Sequence, residues 1–202
     1  MPRRVSCLTN GVLPLTNDES TAPNAGTQAE LRIVAQGRFL DLVCRGRWEF
    51  IRRRNATGVV LVVAVTPHGK LLLVEQYRPP VDSQVIELPA GLVNDQVGIS
   101  VESCAEAARR ELLEETGYDA GQLREIFSGP SSAGLTDEQV SIFLATGLQK
   151  IHAGGGVENE NIVVHEVPLA EAFEWLDAQH NAGRKVDVRV YAGIHIAAKH
   201  LT

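Results

Sequence analysis

The stretch from Ser103 to Thr116 contains neither Gly nor Pro and is rich in Ala, Leu, Glu and Arg. Those residues are good helix formers, and Gly117 follows where a left-handed cap is needed, so a helix is predicted here. On a helix, positions i, i+3 and i+4 share a face, which brings Glu111, Glu114 and Glu115 together. Like charges at that spacing cost roughly 0.2–0.5 kcal/mol instead of helping the helix. At about 100° per residue, Glu115 also falls near Ala108 and Cys104, on the margin of the apolar stripe. A carboxylate at a core margin is costly unless it is paired or holds a metal. Taken alone, the glutamates read first as a solvated acidic face balanced by Arg109 and Arg110.

The rest of the chain sets the frame for this helix. The 202 residues suffice for one core with a small appendage. A formal net charge of −6 disfavours nucleic acid or an anionic membrane as main partner, but it leaves room for a small anion bridged by a cation. Cys7, Cys44 and Cys104 form no CxxC pair, as expected of a reducing cytoplasm. No apolar run reaches the roughly 20 residues that span a bilayer. Polar Thr9 and Asn10 interrupt what would be a signal core after Arg3 and Arg4, so a cytoplasmic protein is expected.

Residues 1–30 are polar and Pro-punctuated and read as a loosely ordered arm. Short alternating runs between Leu31 and Arg54, divided by Gly37 and Gly46, predict a small antiparallel β domain over 31–55. Residues 56–202 then form the main domain. Within it, Val59–Val65 and Leu71–Tyr77 flank the turn Pro67-His68-Gly69-Lys70 and predict a hairpin. Further strands are expected at 123–127, 140–145 and 162–168. Helices are expected at about 169–180 and after Asp187, a plausible N-cap, as far as Lys199. Strands interleaved with helices predict an α/β fold, a mixed sheet between helices.

The carboxylate segment resembles the Nudix box, G-x5-E-x7-R-E-U-x-E-E-x-G-U with U a bulky apolar residue. Glu102, Arg110, Glu111, Leu112, Glu114, Glu115, Gly117 and Tyr118 fall in register. The leading glycine is displaced: position 96 is Gln, and Gly91 in Glu87-Leu88-Pro89-Ala90-Gly91 is its counterpart, which implies five extra residues in the loop before the helix. The resemblance implies a Nudix α/β/α sandwich. It also implies a Mg²⁺ or Mn²⁺ site with Glu111, Glu115, Glu160 and the Ala90 carbonyl as ligands. Glu114 would orient metal-bound water, Arg110 would hold the carboxylates, and Glu102 would have a structural part. Hard cations that bridge phosphates favour such oxygen donors.

Segments outside the box resemble the ADP-ribose pyrophosphatase and nucleoside diphosphate sugar hydrolase branch. Glu75-Gln76-Tyr77-Arg78-Pro79-Pro80 together with Glu87-Leu88-Pro89-Ala90-Gly91 is one such pair. It implies that Arg78 faces the diphosphate, with Glu87 beside it at the substrate. Ser132-Ala133-Gly134 resembles that branch's Ser-Pro-Gly loop, with Ala133 in place of proline, and makes Gly134 a substrate contact. Gly154-Gly155-Gly156-Val157-Glu158-Asn159-Glu160 resembles the late catalytic loop and implies that Glu158 is the general base. Trp48 and Arg53 are implied as contacts of the nucleobase, across a homodimer formed through the β domain. The expected reaction is hydrolysis of a nucleoside diphosphate sugar, ADP-ribose giving AMP and ribose 5-phosphate. GDP-mannose, another nucleotide sugar or an oxidised nucleotide are alternatives within the chemistry. A catalytically silent nucleotide-binding regulatory module is the alternative outside it.

Overall fold

A computed structural model describes residues 29–94, 101–157 and 160–201. The expected arm, residues 1–30, lies outside them except for its last two residues.

Three strands open the fold: β1 (Leu31–Gln36), β2 (Leu40–Arg45) and β3 (Trp48–Arg53). They pair antiparallel in the order β1-β2-β3. The tight β2–β3 turn requires the left-handed backbone that Gly46 supplies (φ 62°). This sheet is joined to the rest at one edge. Ile51 N donates to Leu135 O at 2.8 Å, and Ile51 bridges Thr136 in parallel.

The main body continues with β4 (Gly58–Ala64), β5 (Lys70–Arg78), β6 (Ser83–Glu87) and β7 (Ala90–Val93). Helix α1 (Cys104–Thr116) is followed by β8 (Tyr118–Asp119), β9 (Gln122–Pro130), β10 (Gln139–Thr146), β11 (Gln149–Lys150) and β12 (Val163–Pro168). Helix α2 (Ala172–Asn181), β13 (Lys185–Val186) and α3 (Arg189–Leu201) complete the chain. The second expected helix thus begins at Ala172, after a single 3₁₀ turn over Leu169–Glu171.

The hairpin expected at residues 59–77 is corrected. The turn is present, with Thr66 N donating to Lys70 O and Gly69 N to Thr66 O. Beyond the single Val65–Leu71 bridge, however, β4 and β5 part into different sheets. One sheet runs β7-β4-β10-β9 and the other β12-β5-β6-β13. The physical reason lies in their composition. Both strands carry a consecutive apolar, buried run, residues 59–64 in β4 and 71–74 in β5, the pattern of central strands. Each therefore takes partners on both edges, β4 between parallel β10 and antiparallel β7, and β5 between β12 and β6.

Alternation along β4 then builds two cores. Val59, Leu61 and Val63 face one side with Ile142, Leu176, Val190 and Ile194. Val60, Val62 and Ala64 face the other with Ala107, Ala108 and Leu112 of α1. Helix α1 covers one face of the strand layer while α2 and α3 cover the opposite face, which is the expected α/β/α arrangement with mixed pairing. Among the described residues no helix is long and apolar enough to cross a membrane.

Candidate active site

Helix α1 is built to hold carboxylates in place. Ser103 and Glu106 form a reciprocal capping box at its start, and Gly117 (φ 75°) closes it. Ala107, Ala108 and Leu112 anchor it on β4. Four residues on one side of this anchored rod then meet the strand β7 turn.

Arg110 is the hub. Its Nε donates to Glu102 Oε1 (2.9 Å), Nη1 to Glu111 Oε1 (2.8 Å) and to Glu114 Oε2 (3.2 Å), and Nη2 to the Leu92 carbonyl (3.1 Å). The Arg110 bonds are the main reason that Glu102 stays well ionised, below the usual carboxylate range. The same fork keeps Glu111 and Glu114 together despite their like charge.

Glu115 is treated differently. It is 5% exposed, and one oxygen accepts from Ala90 N at 3.0 Å. Burial pushes its carboxyl well above the usual value; the Ala90 bond and the charge of Arg78 pull the other way, while Glu111 and Glu160 add to the rise. A carboxylate placed so deep, with two further carboxylates near, has the donor chemistry of a hard divalent cation site. Among the described residues no three Asp, Glu, His or Cys side chains close on one point. Glu158, the expected general base, lies outside the described residues.

Gly91 explains why a glycine is needed on β7. A Cβ there would sit 1.8 Å from the Glu111 carboxyl carbon, so only a bare backbone admits that side chain. The five extra residues of the loop do not disturb this contact. Asn94 (φ 60°) accepts from Glu102 N at 2.5 Å through Oδ1 and donates to Thr57 Oγ1 at 2.9 Å. The loop is pinched shut at its base, and residues 95–100 lie outside the described residues.

The glycine loop after β11 is seated on the end of α1. Gly155 N donates to the Glu115 carbonyl (2.8 Å) and Gly156 N to the Glu114 carbonyl (3.0 Å). Gly154 (φ 75°) lies so close that a Cβ would meet Thr116 C at 2.5 Å. Glu160 accepts from Val157 N at 3.0 Å and so folds back onto the loop. The helix's last carbonyls and the glycine loop, with Glu160 folded onto it, are thereby coupled.

On the strand side, Arg78 Nε donates to Glu87 Oε2 at 2.7 Å. Glu87 is buried, and Arg78 remains 40% exposed in its side chain. Glu87 therefore holds Arg78 in place, and Arg78 is the member of the pair turned outward. Trp48 is 66% exposed and lines a cavity of about 470 Å³ with Phe50, Ala133, Gly134, Asp137 and Gln139. Arg53 does not point freely into that cavity; its Nε and Nη2 both pair with Glu138, each at 3.0 Å. Beside it Arg52 Nε donates to Asp137 at 2.8 Å. These two pairs fasten the Ser132–Glu138 loop to β3. Sequence reasoning missed these pairs, and it missed Asn94. The alternation of Arg52-Arg53 against Asp137-Glu138 was the available signal.

An α/β/α body that presents clustered helix glutamates to a glycine-bearing strand defines a carboxylate-rich site with oxygen donors of the kind that hard divalent cations favour. Residues 54–189 match the family model of the NUDIX domain, and the chain belongs to the Nudix hydrolase family. It is 33% identical over 145 residues to the methanol dehydrogenase activator of Bacillus methanolicus, covering 71% of this chain and 76% of that protein. It is 37% identical over 123 residues to the ADP-ribose pyrophosphatase of Bacillus subtilis (strain 168), covering 60% and 64% respectively. It is 32% identical over 150 residues to the GDP-mannose pyrophosphatase of Yersinia enterocolitica, covering 70% and 75%. A solved structure described as an ADP compounds hydrolase superposes with a TM-score of 0.62 at 24% identity, over 78% of this chain and 86% of that one, a likeness of fold.

Proposed function

We propose that the protein hydrolyses the diphosphate bond of a nucleoside diphosphate sugar, with ADP-ribose as substrate and AMP and ribose 5-phosphate as products. The observation that carries this reading is Glu115, a carboxylate buried to 5% exposure beside Arg110-bound Glu111 and Glu114. Such an arrangement is costly in itself and is offset by a bound divalent cation. Glu111, Glu115, Glu160 and the Ala90 carbonyl are the residues that would hold Mg²⁺ or Mn²⁺. The cation would neutralise the diphosphate and acidify water. Arg110 fixes the carboxylates, Glu114 orients water, and Glu158 takes the proton of the attacking water. Arg78, held by Glu87, offers its guanidinium to the diphosphate. The nucleobase stacks on Trp48 beside Gly134, while Arg53 shapes that pocket through Glu138.

The N-terminal sheet also supports a homodimer. Ile33, Val34, Phe39 and Leu40 are exposed on it. Of the seven arginines from Arg32 to Arg54, Arg52, Arg53 and Arg54 pair with Asp137, Glu138 and Asp41 of the same chain, and the other four leave the sheet basic in a chain of net charge −6, which favours an acidic surface on a second copy. The setting is cytoplasmic.

GDP-mannose is the second substrate reading, favoured by the GDP-mannose pyrophosphatase relative and by Gly154–Gly156 before the acidic loop. The test is turnover of ADP-ribose, GDP-mannose and UDP-glucose with Mg²⁺, the products being separated by chromatography. AMP released fastest from ADP-ribose is expected. Faster release of GMP from GDP-mannose would move the substrate, and no turnover of any would overturn the proposal.

A further inference from the structure

Behind Arg78 lies a run of alternating charges that the reading above does not use. Glu87 is buried between two arginines, with Arg78 Nε at 2.7 Å and Arg189 Nη2 at 3.9 Å. Arg189 sits at the start of α3 and is itself held by Asp187. Its Nε lies 2.9 and 3.0 Å from the two Asp187 oxygens, and its Nη2 bonds the second. Asp187 is fixed in turn: its N donates to the Ile86 carbonyl (2.9 Å), and its Oδ1 accepts from Arg189 N (2.8 Å). Arg189 also feels the charge of Glu138, the residue that anchors the Ser132–Glu138 loop through Arg53. The guanidinium of Arg189 thus lies between Asp187, which it bonds, and the buried Glu87.

We propose that Arg189 is a positioning residue for the diphosphate: its charge beside Glu87 leaves Arg78 bound to Glu87 through Nε, with its Nη groups hydrogen-bonded to no described residue and available to phosphate oxygens. This rests on Arg78 contacting the diphosphate. The physical reason is charge balance in a poorly solvated place. A buried carboxylate facing two cations divides its attraction between them, here a hydrogen bond to Arg78 and, at 3.9 Å, the charge of Arg189 alone. With Arg189 gone, Glu87 keeps Arg78 as its one cation and draws the whole guanidinium fork onto itself, away from the cleft. Arg189→Lys keeps the charge on Glu87 and loses only the planar fork on Asp187, so it should retain most of the effect. Helix α3 thereby becomes part of the substrate site without touching substrate.

The test is a double-mutant cycle on ADP affinity, measured by calorimetry without added metal, with Arg78→Ala, Arg189→Gln and the double variant. ADP carries the diphosphate without the second sugar. Each single change is expected to weaken ADP binding, Arg78→Ala on the order of tenfold, as loss of a charge-assisted bond predicts. The double variant should be no weaker than Arg78→Ala alone, because Arg189 acts through Arg78. Arg189→Lys should bind within about threefold of wild type, an effect of roughly 0.6 kcal/mol. If Arg189→Gln does not fold, Arg189→Met, which keeps the aliphatic stem and removes the charge, carries the same cycle. Losses that multiply in the double variant would overturn the proposal, as would ADP binding that neither single change weakens. Hydrolysis is read separately: Arg189→Gln should raise KM for ADP-ribose and leave kcat within about threefold. A wild-type protein that binds ADP but hydrolyses no nucleotide sugar would sink the assigned reaction and leave the cycle to decide on Arg189.

Discussion

Replacing Gly91 by alanine adds one methyl group at the point where β7 meets α1. That Cβ would lie 1.8 Å from both Cδ and Oε1 of Glu111 and 2.3 Å from its Cγ, where ordinary contact begins at 3.4 Å. The carboxylate must therefore retreat by about 1.6 Å, the shortfall between those two distances. Glu111 is a flexible side chain at the margin of the body, 13% exposed, so the fold can yield by rotating it. The stability cost should then stay near the low end of the roughly 1–3 kcal/mol that overpacking imposes. The functional cost should be far larger. Glu111 would leave Arg110, which now holds it at 2.8 Å, and would no longer face Glu115 across the site. Misplacement of a reacting group by about 1 Å is enough for a loss of order 10²-fold in rate. The expected result for Gly91→Ala is a kcat/KM lowered on the order of 100-fold, a raised Mg²⁺ requirement, and a Tm within a few degrees of wild type. A variant with activity within about threefold of wild type would refute the idea that Glu111 works from this position.

Other perturbations probe different parts of the account. Glu115 has its carboxyl raised above the ordinary 4.5 in the folded protein. Its stabilising share is therefore full below that ordinary value and is lost as pH rises through the elevated one. Metal-free wild type should lose Tm relative to Glu115→Gln between mildly acidic and neutral pH, and a constant difference would contradict the burial argument. Gly154→Ala should unseat the loop from the carbonyls of Glu114 and Glu115, lowering kcat more than it raises KM; an unchanged kcat would show that the seat is dispensable. Trp48→Ala should raise KM for ADP-ribose by roughly 5–30-fold, the loss of one aromatic stack with its burial. Hydrolysis of inorganic-like short diphosphates should be unaffected, and an equal loss on both would place Trp48 in the scaffold.

Much of this was legible in the chain because the relevant signals are local. Gly and Pro are excluded from Cys104–Thr116, Ser103 and Glu106 stand at capping-box spacing, and Gly117 ends the run, so α1 and its glutamate face could be read directly. The small N-terminal sheet was equally visible, since Gly46 marks its turn and its strands alternate. The partnership of β4 and β5 was not legible. A consecutive apolar run such as 59–64 or 71–74 states that both faces are buried, but it does not say which strand lies at each edge. The turn at Thr66–Lys70 favoured the wrong neighbour. Long-range ion pairs were hidden for a related reason. Arg53 reads as an available cation until Glu138, 85 positions away, is placed beside it. Glu87 likewise reads as a substrate contact until its burial under Arg78 is seen. At the base of the five-residue insertion, Asn94 accepts from Glu102 N, a contact between residues eight apart that the sequence does not display.

The most direct test of the central claim is the rate of AMP release from ADP-ribose, with and without Mg²⁺, by wild type and by Glu115→Gln. The account predicts cation-dependent release by wild type, none with chelator, and a fall of at least 10³-fold in the variant, as loss of a charge-stabilising group at the reacting centre implies. Wild-type activity that survives chelation, or a Glu115→Gln protein that keeps it, would contradict the assignment of this helix as the centre of the chemistry.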